Sequence, residues 1–358
     1  PSKRTLCGPD GIALDASGNL YVADFFNNRI LAFGPPFSAG VSAEEAAFEV
    51  FGQGGSFTSN GANSQGGISA KSLSHPTGVA IDRFNRLYVV DQSNHRVLEF
   101  VAPYGTNPGA RVVLGQTGFS ANSCNNGTNP STPGKSTLCG PYGAAVDAAG
   151  NLYVSDTGNS RTLEYNAPLS SGANAAHVFG QGGNFNVGVC DASTLNGADK
   201  LCNPQGVAVD ALGNLYIEDT LNNRVLEYNT PLSLTSGERG AGDTTADMVF
   251  GQGDNFVSSG ANLGGTTPSA DTLWNPILAA LDSAGNLYVA DYSNNLVVRY
   301  NQPLPVVPTR TPTRTPMRTP TRTPAHTATR TPTRTPTHTP TRKPTPTATR
   351  KPTPTRTP

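Results

Sequence analysis

Three observations predict an all-β protein, a β-propeller of four-stranded antiparallel blades. One sentence is spelled five times, each copy holds four short strand-like runs, and the copies recur at near-constant spacing. The copies are GPDGIALDASGNLYVADFFNNRILAF from Gly8, HPTGVAIDRFNRLYVVDQSNHRVLEF from His75, GPYGAAVDAAGNLYVSDTGNSRTLEYN from Gly140, NPQGVAVDALGNLYIEDTLNNRVLEYN from Asn203 and NPILAALDSAGNLYVADYSNNLVVRYN from Asn275. Their second aspartates fall at Asp24, Asp91, Asp156, Asp219 and Asp291, in steps of 67, 65, 63 and 72 residues. A regular period of this kind marks a propeller or array.

Within the fourth copy, strand a is read at Gly206–Asp210 and strand b at Leu215–Asp219, joined by a tight turn at Leu212-Gly213-Asn214. Strand c is Arg224–Tyr228, after the loop Thr220–Asn223, and strand d is Asp247–Gly251. Equivalents of strand d are Phe48–Gly52, Val112–Gly115 and His177–Gly180. Each run alternates or is β-branched and is bounded by Gly, Pro or Asn. Strand a carries small residues, such as Gly78, Ala80, Gly143, Ala145, Gly206 and Ala208. That suits a position near an axis where neighbouring blades crowd. The bulkier Tyr and Leu of strand b would fill the space between blades.

The copies resemble NHL repeats, through the P-x-G-[IV]-A-[ILV]-D start, the G-N-L-Y-V-x-D middle and the N-x-R-[IV]-L-x-[FY] end. The resemblance covers about residues 8–301. It implies a propeller over residues 1–303, with blades starting near 8, 75, 140, 203 and 275. The last blade is incomplete: strand c of copy five is followed by no strand d. The two ends of a propeller commonly share a blade, so the missing strand is expected upstream of Pro1. Copy five also has Leu296 where the others have Arg29, Arg96, Arg161 and Arg224.

Charge divides the chain. Residues 1–304 hold 14 Lys and Arg against 25 Asp and Glu, a balance of −11; the remainder is +11. An acidic body is poorly suited to a phosphate backbone, so a nucleic-acid partner is not expected. No apolar run is long enough to span a bilayer. From Leu304 the chain is Pro, Thr and Arg with little else. Such a segment forms no core and favours polyproline II, reaching on the order of 160 Å. It resembles the Thr/Pro stalks of bacterial surface proteins, where sugars or a cell-wall polymer would engage it; a plain linker has the same composition.

Gly/Ser/Asn-rich inserts precede each strand a, and the five cysteines sit there. Cys139 and Cys202 occupy equivalent places, each with an upstream partner in its own insert, Cys124 and Cys190. The copies at Ser74 and Trp274 lack both members. Cysteines that come and go in pairs predict Cys124–Cys139 and Cys190–Cys202, each closing a short loop for roughly 3 kcal/mol. Cys7 stands at the same place without a partner in this chain. Free thiols or a metal site are the alternatives, but no Cys-x-x-Cys spacing is present. Paired cysteines imply an oxidising compartment, extracellular or at the cell surface.

In an antiparallel blade the d–a and b–c connections share one face, which is expected to be the working face. The Asp24/Arg29, Asp91/Arg96, Asp156/Arg161 and Asp219/Arg224 pairs recur too evenly for one ligand site and are read as loop-closing pairs. The variable positions Phe25, Phe26, Gln92, His95, Leu221 and Tyr292, with Tyr142 and Trp274 beside strand a, are the binding candidates. They form either a rim for a protein or glycan ligand or packing beneath the inserts. The resemblance also suggests enzymes, a zinc lyase or a calcium lactonase with an axial metal. Against these, His75, His95 and His177 are not expected to converge, and no D-x-D-x-D-G calcium spacing occurs. No Gly-x-Ser-x-Gly elbow or phosphate loop is present, and no catalytic residue, metal or cofactor is expected.

Overall fold

Period-two runs bounded by turn residues become strands in every copy. Blade 1 comprises β1 (Pro9–Leu14), β2 (Leu20–Asp24), β3 (Arg29–Phe33) and β4 (Glu49–Phe51). Blade 2 comprises β5 (Pro76–Ile81), β6 (Arg86–Asp91), β7 (Arg96–Val101) and β8 (Val112–Leu114). Blade 3 comprises β9 (Ala144–Val146), β10 (Leu152–Asp156), β11 (Arg161–Tyr165) and β12 (His177–Phe179). Blade 4 comprises β13 (Val207–Val209), β14 (Leu215–Asp219), β15 (Arg224–Tyr228) and β16 (Met248–Phe250). Blade 5 has three strands, β17 (Pro276–Leu281), β18 (Leu287–Asp291) and β19 (Leu296–Tyr300). All pair antiparallel in chain order.

This computed structural model describes residues 1–35, 46–64, 66–127, 132–190, 197–232 and 244–301, within a compact unit of Pro1–Val306. The Pro/Thr/Arg segment expected as a stalk lies outside the described residues. Among the described residues no helix is long and apolar enough to cross a membrane.

The first strands lie side by side, β1 against β5, β5 against β9, β9 against β13 and β13 against β17. Backbone touches backbone there. A side chain at Gly11, Gly78 or Gly143 would run into the carbonyl of Thr77, Tyr142 or Gln205 of the next blade. Leu278 of blade 5 replaces this glycine. The core is a series of seams. Tyr21, Ile30 and Phe51 of blade 1 pack on Val79, Val89 and Leu98 of blade 2, and equivalent clusters fill the next three seams.

The a–b turn is held by its aspartate. Asp15 Oδ1 accepts the Ser17 and Asn19 amides, each at 2.9 Å, and Oδ2 accepts Asn19 Nδ2 at 2.7 Å. Asp147, Asp210 and Asp282 repeat the pattern. Blade 2 has Arg86 in place of the asparagine, paired with Asp82 at 2.5 Å. These turns lie at the end of the blades opposite the inserts.

Candidate functional site

Each second strand ends in an aspartate that enters a one-turn 3-10 segment, such as Thr157–Asn159. Asp156 is fully buried. Its Oδ1 accepts the Cys139 amide at 2.7 Å; its Oδ2 accepts Asn159 Nδ2 at 2.7 Å and Arg161 Nε at 2.8 Å. Arg161 then donates to the Phe185 carbonyl in the insert after its blade, and to the Gly134 and Thr137 carbonyls, at 3.0 and 2.9 Å, in the insert before it. One guanidinium therefore clamps two inserts to a loop. Arg29, Arg96 and Arg224 make the same set through Phe57, Phe119 and Phe256. Burial raises the Asp91, Asp156 and Asp219 carboxyls, and the adjacent guanidinium pulls each back down. Buried charge is tolerated because every oxygen is satisfied. The clamp accounts for Leu296: after β19 the sequence runs directly into the Pro/Thr/Arg segment, leaving no V-F-G-Q insert for an arginine to hold.

Three further recurring roles carry no mark in a single copy. The glutamine after strand d bridges the loop to the insert. Gln116 Nε2 donates to the His95 and Ser123 carbonyls, both at 2.9 Å, and Gln53, Gln181 and Gln252 act alike. The insert phenylalanine supplies the carbonyl that the clamp needs. The signal for both is the recurrence of G-Q-x-x-x-F or G-Q-x-x-F after strand d. The third role belongs to the residue before the clamp arginine, held left-handed (Asn28, His95, Ser160, Asn223). Its side chain accepts a backbone N–H from the next blade: His75 to Asn28 Oδ1 at 2.8 Å, Gly140 to His95 Nδ1 at 2.9 Å, Asn203 to Ser160 Oγ at 3.3 Å, and Asn275 to Asn223 Oδ1 at 2.9 Å. His95 thus occupies an asparagine-like bolting position. Burial holds its ring below the ordinary histidine range, which keeps Nδ1 an acceptor.

The disulfides Cys124–Cys139 and Cys190–Cys202 form as the paired occurrence of the cysteines predicts, and Cys7 is an exposed free thiol. In all five copies the residue at the Cys139 place donates its amide to the loop aspartate: Cys7, Ser74, Cys139, Cys202 and Trp274, at 2.6 to 2.7 Å. The two disulfides accord with an oxidising compartment.

What this frame presents is partly aromatic. Phe26, Leu221, Trp274 and Tyr292 are exposed, Tyr292 most at 65%. Phe25 is half-buried and packs on Phe26 and His75, with ring centres 4.9 and 4.8 Å apart. Gln92 is half-buried in its 3-10 turn. Tyr142, also half-buried, reaches from blade 3 to blade 1, where its hydroxyl donates to Asp10 Oδ2 at 2.7 Å. Burial raises the Asp10 carboxyl, offset by this bond; burial and then Asp10 raise the Tyr142 phenol, and Tyr292 is near enough to add to it. Tyr142 therefore ties blade 3 to blade 1 at a mouth marked by a carboxylate and a tyrosine, with Thr77 of blade 2 donating to the Tyr142 carbonyl at 2.8 Å.

The histidines do not gather. His75 lies beside Ser93, with Nδ1 3.2 Å from its Oγ, and His177 Nδ1 pairs with Glu164 Oε2 at 2.8 Å in blade 3. Among the described residues no group of three His, Cys, Asp or Glu is placed to hold a metal ion.

Antiparallel four-stranded sheets whose first strands pack side by side define a β-propeller scaffold. The NHL repeat family matches residues 6–33, 73–100 and 201–228, and the chain is an NHL-repeat β-propeller. Copies three and five fold alike outside those matched stretches. No curated protein matches the chain. Similar solved structures include a streptogramin B lyase, at 10% identity over 83% of this chain and 70% of that one, TM-score 0.43. A chain of a nidogen/laminin complex is similar at 17% identity over 82% and 76%, TM-score 0.45. A gluconolactonase from Xanthomonas campestris is similar at 14% identity over 84% and 74%, TM-score 0.44.

Proposed function

We propose that the protein is a non-catalytic binding propeller, displayed outside the cell on its Pro/Thr/Arg segment, which takes a protein or glycan ligand at the insert face. The observation that supports this reading most is the mouth itself. Asp10 and Tyr142 supply hydrogen-bonding groups, and the b–c loops and the residue before strand a expose Tyr292, Phe26, Leu221 and Trp274. Aromatic side chains with a polar partner are what protein and sugar surfaces use for anchoring. The Asp/Arg clamps are fully buried and so serve the frame rather than the ligand. The acidic body argues against a nucleic-acid partner.

Trp274 is the single tryptophan of the chain and sits on this face, 41% exposed. Its emission therefore reports occupancy. Titration with a panel of neutral oligosaccharides and peptides is expected to shift that emission saturably. Tyr142→Phe and Asp10→Asn are each expected to weaken the binding by about 1 kcal/mol, with unfolding midpoints unchanged. A stoichiometric metal whose chelation abolishes turnover of a lactone or lyase substrate would overturn the reading in favour of an enzyme.

A further inference from the structure

One a–b turn departs from the other four. Blades 1, 3, 4 and 5 read DASGN, DAAGN, DALGN and DSAGN, and blade 2 reads Asp82-Arg83-Phe84-Asn85-Arg86. The turn survives the change. Asp82 Oδ1 accepts the Phe84 and Arg86 amides at 2.8 and 2.9 Å, as the other aspartates do, and Oδ2 accepts Arg86 Nε at 2.5 Å. Asn85 takes the left-handed place of the glycine, at φ 56°, and its carbonyl accepts the Tyr104 hydroxyl at 2.7 Å. The turn needs none of the added side chains, since DAAGN makes the same bonds in blade 3.

What the change adds lies at the surface. Phe84 is 59% exposed, and the Arg83 and Arg86 guanidinium carbons lie over its ring, 4.7 and 5.4 Å from the centre. Such stacking holds a guanidinium without engaging its N–H groups. Arg86 bonds Asp82 through Nε, and its Nη1 and Nη2 have no acceptor among the described residues. Nη2 reaches over the neighbouring turn, into space that a side chain at Gly150 would fill. Arg111, just before β8, is exposed and acts on the Glu99 carboxyl together with Arg86. Asp82 and Glu99 are buried, so the exposed sign here is positive.

The surroundings have the opposite sign. At the same end of the other blades Asp15 and Glu49 stand by Tyr21, Asp147 and Glu164 by Tyr153, and Asp210 and Asp247 by Glu227. A long polyanion or an anionic bilayer laid over the arginines would run onto those carboxylates. A short acidic segment would not. Carboxylates suit the guanidinium, whose paired N–H groups match two oxygens. A sugar acid would stack on an open aromatic face, and guanidinium already lies over the Phe84 ring. Arginine beside an exposed aromatic is the anchor chemistry of protein interfaces.

We propose that the turn from Asp82 to Arg86 docks a short acidic peptide segment of a partner protein, at the end of the blades opposite the inserts. Its carboxylates take Arg83 and the Nη groups of Arg86, and an apolar residue beside them packs on Phe84. The site is separate from the mouth, and neither reading needs the other. The test selects displayed random peptides on the full chain and counter-selects on a variant with Arg83→Ala, Phe84→Ala, Asn85→Gly and Arg86→Asn. That variant carries the blade 3 turn, so its unfolding midpoint should match the parent's. Peptides that separate the two proteins are expected to hold Asp or Glu beside an apolar residue. Fluorescein-labelled copies should bind the parent saturably and the variant roughly tenfold more weakly, and copies with Asn and Gln for Asp and Glu should lose as much. Arg83→Lys with Arg86→Lys keeps the charge and removes the fork, and should weaken binding about threefold. The proposal is overturned if no peptide separates the proteins, if the separating peptides are neutral or basic, or if the amide copies or the lysine variant bind as the parents do. Binding of phosphatidylglycerol vesicles or oligoglucuronate to the parent and not the variant, where no acidic peptide binds, overturns it in favour of a lipid or glycan.

Discussion

The third strands of blades 3 and 5 have near-identical sequence settings and opposite fates. β11 is buried along its whole length, carries Arg161, and holds a fourth strand. β19 carries Leu296, is exposed along most of its length, and has β18 as its one partner among the described residues. The difference teaches what the arginine does. It is present wherever an insert leaves the blade and must be tied to the insert that enters it. Where the chain sends no insert onward, the buried guanidinium would lose the carbonyl that Phe185 gives Arg161, and leucine stands instead.

The largest effect should come from breaking the clamp in one blade and adding it to the other. Arg161→Leu leaves Asp156 buried without its countercharge and should cost about 3–5 kcal/mol in urea unfolding. Leu296→Arg should stay within about 0.5 kcal/mol of the parent. Equal effects would show that the arginine serves its own loop alone and not the inserts.

Next in size is the insert staple that blade 3 has and blade 5 lacks. Cys124→Ser with Cys139→Ser should lower stability by about 3 kcal/mol. Reductant, which also opens Cys190–Cys202, should cost the parent more than it costs the double variant, the difference being the Cys124–Cys139 contribution. Peptide mapping that links Cys124 to Cys190 would refute the pairing.

The seam between blades 4 and 5 titrates. Glu218 is fully buried without a hydrogen-bond partner for either oxygen, next to Gly206, where blades 1, 2 and 5 place Ala23, Val90 and Ala290. Burial pushes its carboxyl up to about 8. The folded state keeps this proton after the unfolded chain has released its own. The contribution is therefore full below the ordinary glutamate range and is lost as pH rises through about 8, by about 1.4 kcal/mol per pH unit across that window. Glu227, in the same blade, is pushed up to about 8 by burial and by Asp247 and adds to the slope. Glu218→Gln should flatten much of the fall between pH 5 and 8; an unchanged slope would place the titration elsewhere.

The smallest effect is expected at the blade 2–3 bolt. His95→Asn restores the residue used at positions 28 and 223 and should change stability by less than about 0.5 kcal/mol at neutral pH. The parent should lose this bolt as pH falls through the depressed His95 pKa, because protonation removes the Nδ1 acceptor; the variant should not. A large loss at neutral pH would mean that the ring, rather than its acceptor nitrogen, does the holding.

Much of the frame was legible in residues. Strands b and c of the fourth copy run Leu215–Asp219 and Arg224–Tyr228 as the pattern predicts, because both are buried and end at fixed turn chemistry. Strand a is shorter than read, Val207–Val209 rather than Gly206–Asp210, since Gly206 packs against the next blade and Asp210 turns to bind Leu212 and Asn214. The disulfides were readable because their members are lost together. His95 offered no such clue. It was a candidate for the binding rim, and its hydrogen bond to Gly140 crosses 45 residues of sequence.

The sequence alone determined the repeat, the strands, the turns and the staples, since each depends on neighbours within a few dozen residues and recurs from copy to copy. Only the tertiary structure decided which groups face one another across blades. It joined Tyr142 to Asp10 over 132 residues and set the left-handed side chains as bolts. Those outcomes depend on how blades pack about an axis, and no spacing within one copy records that.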